Sequence, residues 1–149
     1  MKLIPIPVAM AVLYHNQHFL MQLRDDKEGI LYPGQWGLFG GHLELEEAPE
    51  AGLIREVKEE INYLVTEPTL FRCYNDTKVT RHIFFAPLTV SVDSLELNEG
   101  WDLDLVPLNS IQLGRHYSHQ AKEERYLGAI HRRILLDFAV FAHNNLLSF

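Results

Sequence analysis

Six residues between Gly41 and Glu60 have the types and spacing that suit chemistry on a metal-bound phosphate. They are a glycine, an arginine and four glutamates, namely Gly41, Glu47, Arg55, Glu56, Glu59 and Glu60. Positions i, i+3 and i+4 of a helix share one face, so the last three carboxylates lie together. Like charges this close repel each other, and hard oxygen ligands at this density suit Mg²⁺ or Mn²⁺. The pattern predicts a divalent-metal site on one helix face.

A helix over 48–61 must carry these carboxylates. Pro49 suits its first turn, where the missing N–H group of proline is harmless. An apolar row recurs every four residues after it, at Leu53, Val57 and Ile61. The row faces away from the centre of the acidic face, so we expect it to anchor the helix on the core while the carboxylates are presented.

The rest of the chain mixes strands with helices. Apolar runs over 7–14 and 18–23 flank a polar turn and predict a hairpin. Further strands are predicted over 36–41, 65–74, 81–92 and 101–106, and helices over 107–113 and 126–143. The last helix carries an apolar residue at every fourth position, namely Tyr126, Ile130, Ile134, Phe138 and Ala142. This order predicts an α/β fold with a mixed β-sheet covered by helices on both faces.

The stretch Gly41 to Tyr63, GHLELEEAPEAGLIREVKEEINY, resembles the Nudix box. That box is the signature of hydrolases that cleave nucleoside diphosphates linked to another group. The resemblance implies an α/β/α sandwich and Mg²⁺-dependent hydrolysis of a phosphoanhydride bond, with Mn²⁺ as a substitute. It also implies a small nucleotide-like substrate, and it leaves a homodimer open because relatives are often dimers.

The resemblance also implies roles for residues in the box. Metal ligands are expected at four positions, namely the carbonyl of Gly40 and the carboxylates of Glu56, Glu59 and Glu60. Arg55 is expected to orient Glu56. Glu47 is expected to support the loop and the helix.

Three residues outside this helix are candidates by the same resemblance. Glu99 lies in an Asn-Glu-Gly segment and is expected to act as a general base or an extra metal ligand, with Glu59 as the competing base. Arg24 follows the second predicted strand, where relatives often have a basic residue that contacts substrate. His42 follows the double glycine, close to the expected phosphates.

Two positions depart from the family pattern. Asn62 stands where the pattern ends in glycine, and asparagine is also accepted at a left-handed helix cap. Glu46 stands where relatives frequently have glycine. If its φ is positive, the backbone there is strained by about 1 kcal/mol.

Other aromatic and histidine residues have simpler interpretations. Tyr32, Trp36 and Phe39 could stack on a base, but packing near a core strand is the commoner role. His116 and His119 have a spacing that could hold a metal on a helix, yet matching ligands nearby are missing. We expect polar loop histidines there.

Composition limits the classes of function. A chain of 149 residues fits one domain over 1–149, and its net charge of −7 argues against binding a nucleic-acid polymer. No run reaches the about 18 apolar residues that span a bilayer, and Pro5 and Pro7 argue against a secretion signal. The single cysteine, Cys73, excludes an internal disulfide and fits a cytoplasmic location. We expect it to be a small core residue on a strand.

Substrate identity stays open at this point. ADP-ribose, nucleoside triphosphates, oxidised nucleotides and nucleotide sugars all share the diphosphate, and discrimination is expected in the loops over 24–37 and 113–122. Two other classes of function compete with hydrolysis. One is a regulatory module that binds a nucleotide without cleaving it, and the other is a protein-interaction scaffold with an unused site.

Overall fold

The computed structural model describes residues 4–30 and 33–149, and the statements below concern those residues. The strands are β1 (Ile6–His15), β2 (His18–Leu23), β3 (Trp36–Gly37), β4 (Phe39–His42), β5 (Thr69–Asn75), β6 (Val79–Pro87), β7 (Asp102–Pro107), β8 (Arg115–Ser118) and β9 (Glu123–Tyr126). The helices are α1 (Pro49–Ile61), α2 (Leu108–Leu113) and α3 (Ala129–Asn144), with a short 3₁₀ helix over Val92–Ser94.

Seven of the described strands form one mixed sheet. Its order is β3-β2-β1-β6-β5, with β4 also paired to β1 and β7 also paired to β2. The central strands β1 and β6 are parallel, whereas the other pairs are antiparallel. The predicted hairpin is present as β1 and β2, and φ is positive at Asn16 and Gln17 in its two-residue turn. Strands β8 and β9 form a separate hairpin.

Helices cover both faces of the sheet because β1 sends alternate side chains to opposite sides. Ala9, Ala11 and Leu13 pack in one core with the apolar row of α1. Val12 and Tyr14 pack in the other core, which contains Ile134, Leu135 and Phe138 of α3. The α/β/α sandwich is therefore confirmed, and the row on α1 is fully buried, as its spacing predicts.

The last helix begins later than the sequence suggests. Tyr126 continues the four-residue spacing, but it belongs to β9 and is exposed. Gly128 precedes the helix, and its N–H donates to the carbonyl of Trp36 at 2.9 Å. The segment that was expected to be a loop over 113–122 contains the end of α2 and all of β8. The strand predicted over 65–74 begins only at Thr69, and the one over 81–92 ends at Pro87.

Two further expectations about side chains have opposite outcomes. Trp36 and Phe39 are fully buried and therefore pack in the cores, while Tyr32 lies outside the described residues. Cys73 lies on a strand as expected, but the expected core position was wrong, because it is exposed on β5, the outermost strand on its side of the sheet. Its Sγ lies 3.4 Å from Nδ1 of His82 on the neighbouring strand.

Across residues 4–30 and 33–149, no helix has both the length and the apolar character needed to cross a membrane.

Candidate active site

Glu60 is the buried member of the acidic face of α1. It is 4% exposed, and its carboxylate accepts hydrogen bonds from the Gly40 N–H at 2.9 Å and from Gln22 Nε2 at 3.0 Å. The pKa of Glu60 is raised to about 8, mainly by burial and to a smaller extent by the nearby charges of Glu56 and Glu99. A cation beside this carboxyl would favour its charged form.

Arg55 connects the helix to the loop before it. Its Nε and Nη2 donate to the two oxygens of Glu47 at 2.8 and 2.9 Å, and Nη1 donates to Glu56 at 3.0 Å. Nη1 also lies 3.4 Å from both oxygens of Glu59, and Nη2 donates to the His42 carbonyl at 3.2 Å. The Arg55 guanidinium lowers the pKa of Glu47 to about 2, while that of Arg55 itself is raised, mainly by its bond to Glu47. The forked pairing fixes the loop against the helix.

The double glycine brings the backbone of β4 close to the carboxylates of α1. Gly40 has a φ of +145°, and a Cβ there would lie 2.1 Å from the carbonyl oxygen of Ala9. A Cβ on Gly41 would lie 2.5 Å from the carboxylate carbon of Glu56. Neither position accepts a side chain without displacement of its neighbours. The close approach of Glu56 and Glu60 to β4 therefore requires both glycines.

The two departures from the family pattern both have left-handed backbones. Asn62 caps α1 with a φ of 53° and a ψ of 38°, and its N–H donates to the Lys58 carbonyl. Glu46 has a φ of +64°. The condition for strain at Glu46 is therefore met, while asparagine at the cap is the milder substitution.

Replacing Glu46 with glycine is expected to raise the free energy of unfolding by about 1 kcal/mol, because glycine adopts positive φ without strain. Urea denaturation measures this change. Asn62→Gly is the control, since asparagine tolerates this conformation and its Oδ1 accepts from Lys58 Nζ at 2.6 Å. A Glu46→Gly protein that is less stable than wild type would contradict the strain.

Glu99 lies in a segment that is tied to the end of α1. The Asn98 N–H donates to the Glu60 carbonyl at 2.9 Å, and Asn98 Nδ2 donates to the Glu59 carbonyl at 2.9 Å. The charge of Glu99 also raises the pKa values of Glu56 and Glu60, after burial as the main cause. The fold thus brings Glu99 near the acidic face, although almost forty residues separate it from the helix.

A cavity of about 420 Å³ adjoins Glu99, and it reaches the acidic face through Gln22, whose side chain donates to Glu60. The side chains that line it are mostly polar and include Gln22, Arg24, Lys27, Ile30, Asn98 and Glu99. His42 is not among them; its side chain is exposed, and its carbonyl accepts from Arg55. A larger cavity of about 510 Å³ lies away from the acidic side chains, between the β1–β2 turn and the C-terminal segment. The smaller cavity is therefore the better position for a substrate.

The donor set of the acidic face fits a hard divalent metal, since it offers three carboxylates and the nearby backbone of Gly40. In the described residues, however, no three His, Cys, Asp or Glu side chains already converge on one metal position. The reason is that Arg55 bonds to Glu56 and Glu59, whereas Glu60 points inward to Gln22. The side chain of Glu59 is 60% exposed and therefore free to rotate toward a bound ion.

His116 and His119, whose spacing could hold a metal, make structural contacts instead. His116 lies on β8 rather than in a loop, and its Nε2 is 2.8 Å from Asp104 Oδ2. His119 stands in the turn after β8, with its ring 5.2 Å from that of Tyr117. These contacts do not form a zinc site among the described residues.

Sequence reasoning missed Gln22 and Asn98. Gln22 is 4% exposed on β2, and a buried polar residue within an apolar run is the signal that could have singled it out. Asn98 stands next to Glu99, but nothing in the local sequence connects it to the end of α1. Gln22 orients the carboxylate of Glu60, and Asn98 holds the Glu99 segment against the backbone at the end of α1.

Comparison with known proteins identifies the family. The family model described as NUDIX domain matches residues 5–127. The chain belongs to this family, whose hydrolases generally use divalent metals. A search of curated proteins finds no match.

Solved structures share the fold at low sequence identity. The MutT NUDIX hydrolase from Burkholderia pseudomallei is 18% identical, with a TM-score of 0.68 over 89% of this chain and 96% of that one. The NUDIX domain of Shewanella oneidensis NrtR, crystallised with ADP ribose, is 16% identical, with a TM-score of 0.69 over 91% and 87%.

A third structure contains a nucleotide and a metal. It is the bifunctional NMN adenylyltransferase/ADP ribose pyrophosphatase from Francisella tularensis, complexed with AMP and a Mn ion. It is 19% identical, with a TM-score of 0.66 over 91% of this chain and 41% of that one.

Proposed function

We propose that this protein is a Mg²⁺-dependent Nudix hydrolase that uses water to break a phosphoanhydride bond in a nucleoside diphosphate derivative or a nucleoside triphosphate. The observation that carries the proposal is the buried carboxyl of Glu60, held by two donors and close to the charges of Glu56 and Glu99. A cluster of this kind is unfavourable by itself, and a bound cation would offset the repulsion between its carboxylates. Mn²⁺ is the expected substitute.

The chain offers four groups that would hold the metal, namely the Gly40 carbonyl and the carboxylates of Glu56, Glu59 and Glu60. A metal held there would neutralise the diphosphate, polarise phosphorus and help to activate the attacking water. Gln22 and the Gly40 N–H fix the orientation of Glu60, and Arg55 fixes that of Glu56. Glu47 holds Arg55 in place, because both of its carboxylate oxygens accept hydrogen bonds from the guanidinium.

Glu99 is our candidate for the group that takes the proton from the attacking water. Asn98 fixes its segment to α1, and Glu99 lines the cavity beside Glu60. Glu59 is the competing base, because it is the most exposed carboxylate of the acidic face. Arg24 lines the same cavity and is proposed to bind the substrate, whereas His42 is proposed only to contact phosphate from its exposed position.

The first substrates to test are nucleoside diphosphate derivatives such as ADP-ribose. Two of the structural neighbours are described with ADP ribose or as an ADP ribose pyrophosphatase. The polar cavity beside Glu60 suits hydroxyl and phosphate groups better than an apolar ligand. We expect the protein to act on small molecules in the cytoplasm, with a homodimer as the form to look for.

The test is phosphate or nucleotide release from a panel of ADP-ribose, nucleoside triphosphates, oxidised nucleotides and nucleotide sugars, with Mg²⁺ or Mn²⁺. We expect Glu59→Gln to lower kcat about 100-fold on the best substrate, since it removes a metal ligand or the base. Glu50→Gln is the control, because Glu50 is an exposed glutamate in the first turn of the same helix. Wild-type turnover in both Glu59→Gln and Glu60→Gln would refute the mechanism.

A regulatory module that binds a nucleotide without cleaving it is the second candidate. It is favoured by the NrtR domain, a neighbour of similar fold that was crystallised with ADP ribose. Titration calorimetry with ADP-ribose separates the two functions. Tight binding with no turnover under any divalent metal would support the module over the hydrolase.

A further inference from the structure

One wall of the cavity beside Glu60 is formed by the long loop between β2 and β3, described over 24–30 and 33–35. The two ends of this loop bond to each other. The Arg24 N–H donates to the Gln35 carbonyl at 3.0 Å, and the Gly34 N–H lies 3.2 Å from the carbonyls of Arg24 and Asp25. The loop contributes Arg24, Asp25, Lys27 and Ile30 to the cavity. Its position therefore decides the shape of the cavity.

Arg125 of β9 reaches across to this loop. Its Nε donates to the Gly34 carbonyl at 2.9 Å, and its Nη2 lies 3.3 Å from Asp26 Oδ2. Its Nη1 donates to Glu123 within the same hairpin at 2.8 Å. The Arg125 side chain is only 23% exposed, and its guanidinium carbon lies 5.7 Å from the centre of the Trp101 ring. One side chain thus joins both ends of the described loop to the hairpin.

The backbone conformation of Gly34 and its lack of a side chain make room for Arg125. Gly34 has a φ of +66°, which glycine adopts without strain, and a Cβ there would lie 2.1 Å from Arg125 Nη2. A residue with a side chain would push the guanidinium away from the loop. The sequence of the loop and the position of Arg125 therefore depend on each other.

The hairpin that carries Arg125 is itself fixed to the main sheet. Ser118 Oγ donates to Asp102 Oδ2 at 2.7 Å, and Trp36 Nε1 donates to the His116 carbonyl at 3.0 Å. Asp102 begins β7 and Trp36 begins β3, so both contacts lie at the edge of the sheet near the loop. Arg125 therefore acts from a rigid support.

We propose that Arg125 is a positioning residue for substrate binding, which holds the β2–β3 loop in place as the wall of the cavity beside Glu60. The proposal rests on the proposed function in one respect, namely that this cavity takes the substrate. A fixed wall contacts the substrate equally in the ground state and the transition state. Loss of Arg125 therefore raises KM while kcat is kept.

The test compares Arg125→Met, which keeps the length of the side chain but removes its donors, with wild type. The first readout is hydrogen exchange of the amides over 25–30 and 33–35. We expect exchange at Gly34 to be at least 10-fold faster in Arg125→Met, because the loop opens more often without its anchor. The second readout is hydrolysis of ADP-ribose with Mg²⁺, where we expect a KM about 10-fold higher and a kcat within 2-fold of wild type.

Glu123→Gln is the matched control. It removes the charge of the partner of Arg125 within the hairpin but leaves both contacts to the loop, so loop exchange and KM are expected to stay within 2-fold of wild type. Asp26→Asn is a second variant that weakens the ion pair from the loop side, and it covers the case in which Arg125→Met fails to fold. It is expected to change both readouts in the same direction as Arg125→Met, by about 3-fold.

The two readouts separate this inference from the proposed function. Unchanged loop exchange in both Arg125→Met and Asp26→Asn would overturn the positioning role, whatever the turnover. Faster exchange with an unchanged KM would also overturn it, because the loop would then not serve binding. If wild type hydrolyses no nucleotide, the proposed function fails, and the KM readout is replaced by calorimetric binding of ADP-ribose, which Arg125→Met must weaken about 10-fold.

Discussion

Glu60→Gln is expected to lower kcat about 1000-fold and, at pH 8 without metal, to make the protein more stable than wild type. The loss of turnover follows from removing a charged ligand at the centre of the acidic face, a cost of about 4 kcal/mol in activation free energy. The gain in stability follows from burial, since glutamine avoids an ionised carboxyl that is 4% exposed. Glutamine can also keep both hydrogen bonds if the amide of Gln22 turns over.

The contribution of Glu60 to the free energy of unfolding depends on pH. Between pH 4.5 and about 8, folded Glu60 keeps a proton that the unfolded chain has released, so its contribution makes the protein less stable as the pH rises. The penalty at pH 8 is on the order of 4 kcal/mol. Urea denaturation at pH 5 and pH 8, with a chelator present, should show this slope in wild type and not in Glu60→Gln.

Added Mg²⁺ is expected to narrow this difference, because it stabilises wild type by binding and leaves Glu60→Gln nearly unchanged. Glu59→Gln is the control for stability, since Glu59 is exposed and its neutralisation should bring no comparable gain. A Glu60→Gln protein that is less stable than wild type at pH 8, or that turns over normally, would contradict the account of the site.

Arg55→Lys is expected to lower kcat/KM about 10- to 100-fold and to lower Tm. Lysine keeps the charge but not the fork that bonds both oxygens of Glu47 while also reaching Glu56. Loss of groups that orient metal ligands commonly has an effect of this size. Initial rates on the best substrate, measured at saturating Mg²⁺ and again over a Mg²⁺ titration, separate weaker metal binding from poorer orientation.

Lys58→Met is the control on the same helix, because Lys58 is an exposed cation that bonds Asn62 and not the acidic face. It should keep kcat/KM within 2-fold of wild type. If Arg55→Lys shows the same small change, then charge alone at this position is sufficient, and the forked geometry has no catalytic importance.

The helix that carries the carboxylates was predictable almost to the residue. The expected range was 48–61 and the observed helix is Pro49–Ile61, because proline at the start, a buried row every four residues and asparagine at the end are all local signals. The spacing also placed three glutamates on one face. It did not distinguish the buried Glu60 from the exposed Glu59, since that difference depends on Gln22 and Gly40, which come from other strands.

The hairpin of β8 and β9 was not predictable in the same way. Its residues are polar and charged, so they lack the alternation of apolar residues that marks a strand. Contacts with distant residues hold it instead, such as that of Ser118 with Asp102. Tyr126 even continued the helical spacing of α3, and only the backbone at Gly128 ends that pattern. Cys73 was misplaced because no local signal shows that β5 lies at the edge of the sheet.

The contacts that complete the acidic face and the adjoining cavity join distant parts of the chain. Gln22 and Glu60 are 38 residues apart, Asn98 and Glu59 are 39 apart, and Arg125 and Gly34 are 91 apart. Loops of this length must close before such contacts can form, which makes them late events in folding. A peptide of the box alone would be a marginal helix with repelling glutamates. We therefore expect affinity for the metal to arise only when the whole sheet has assembled.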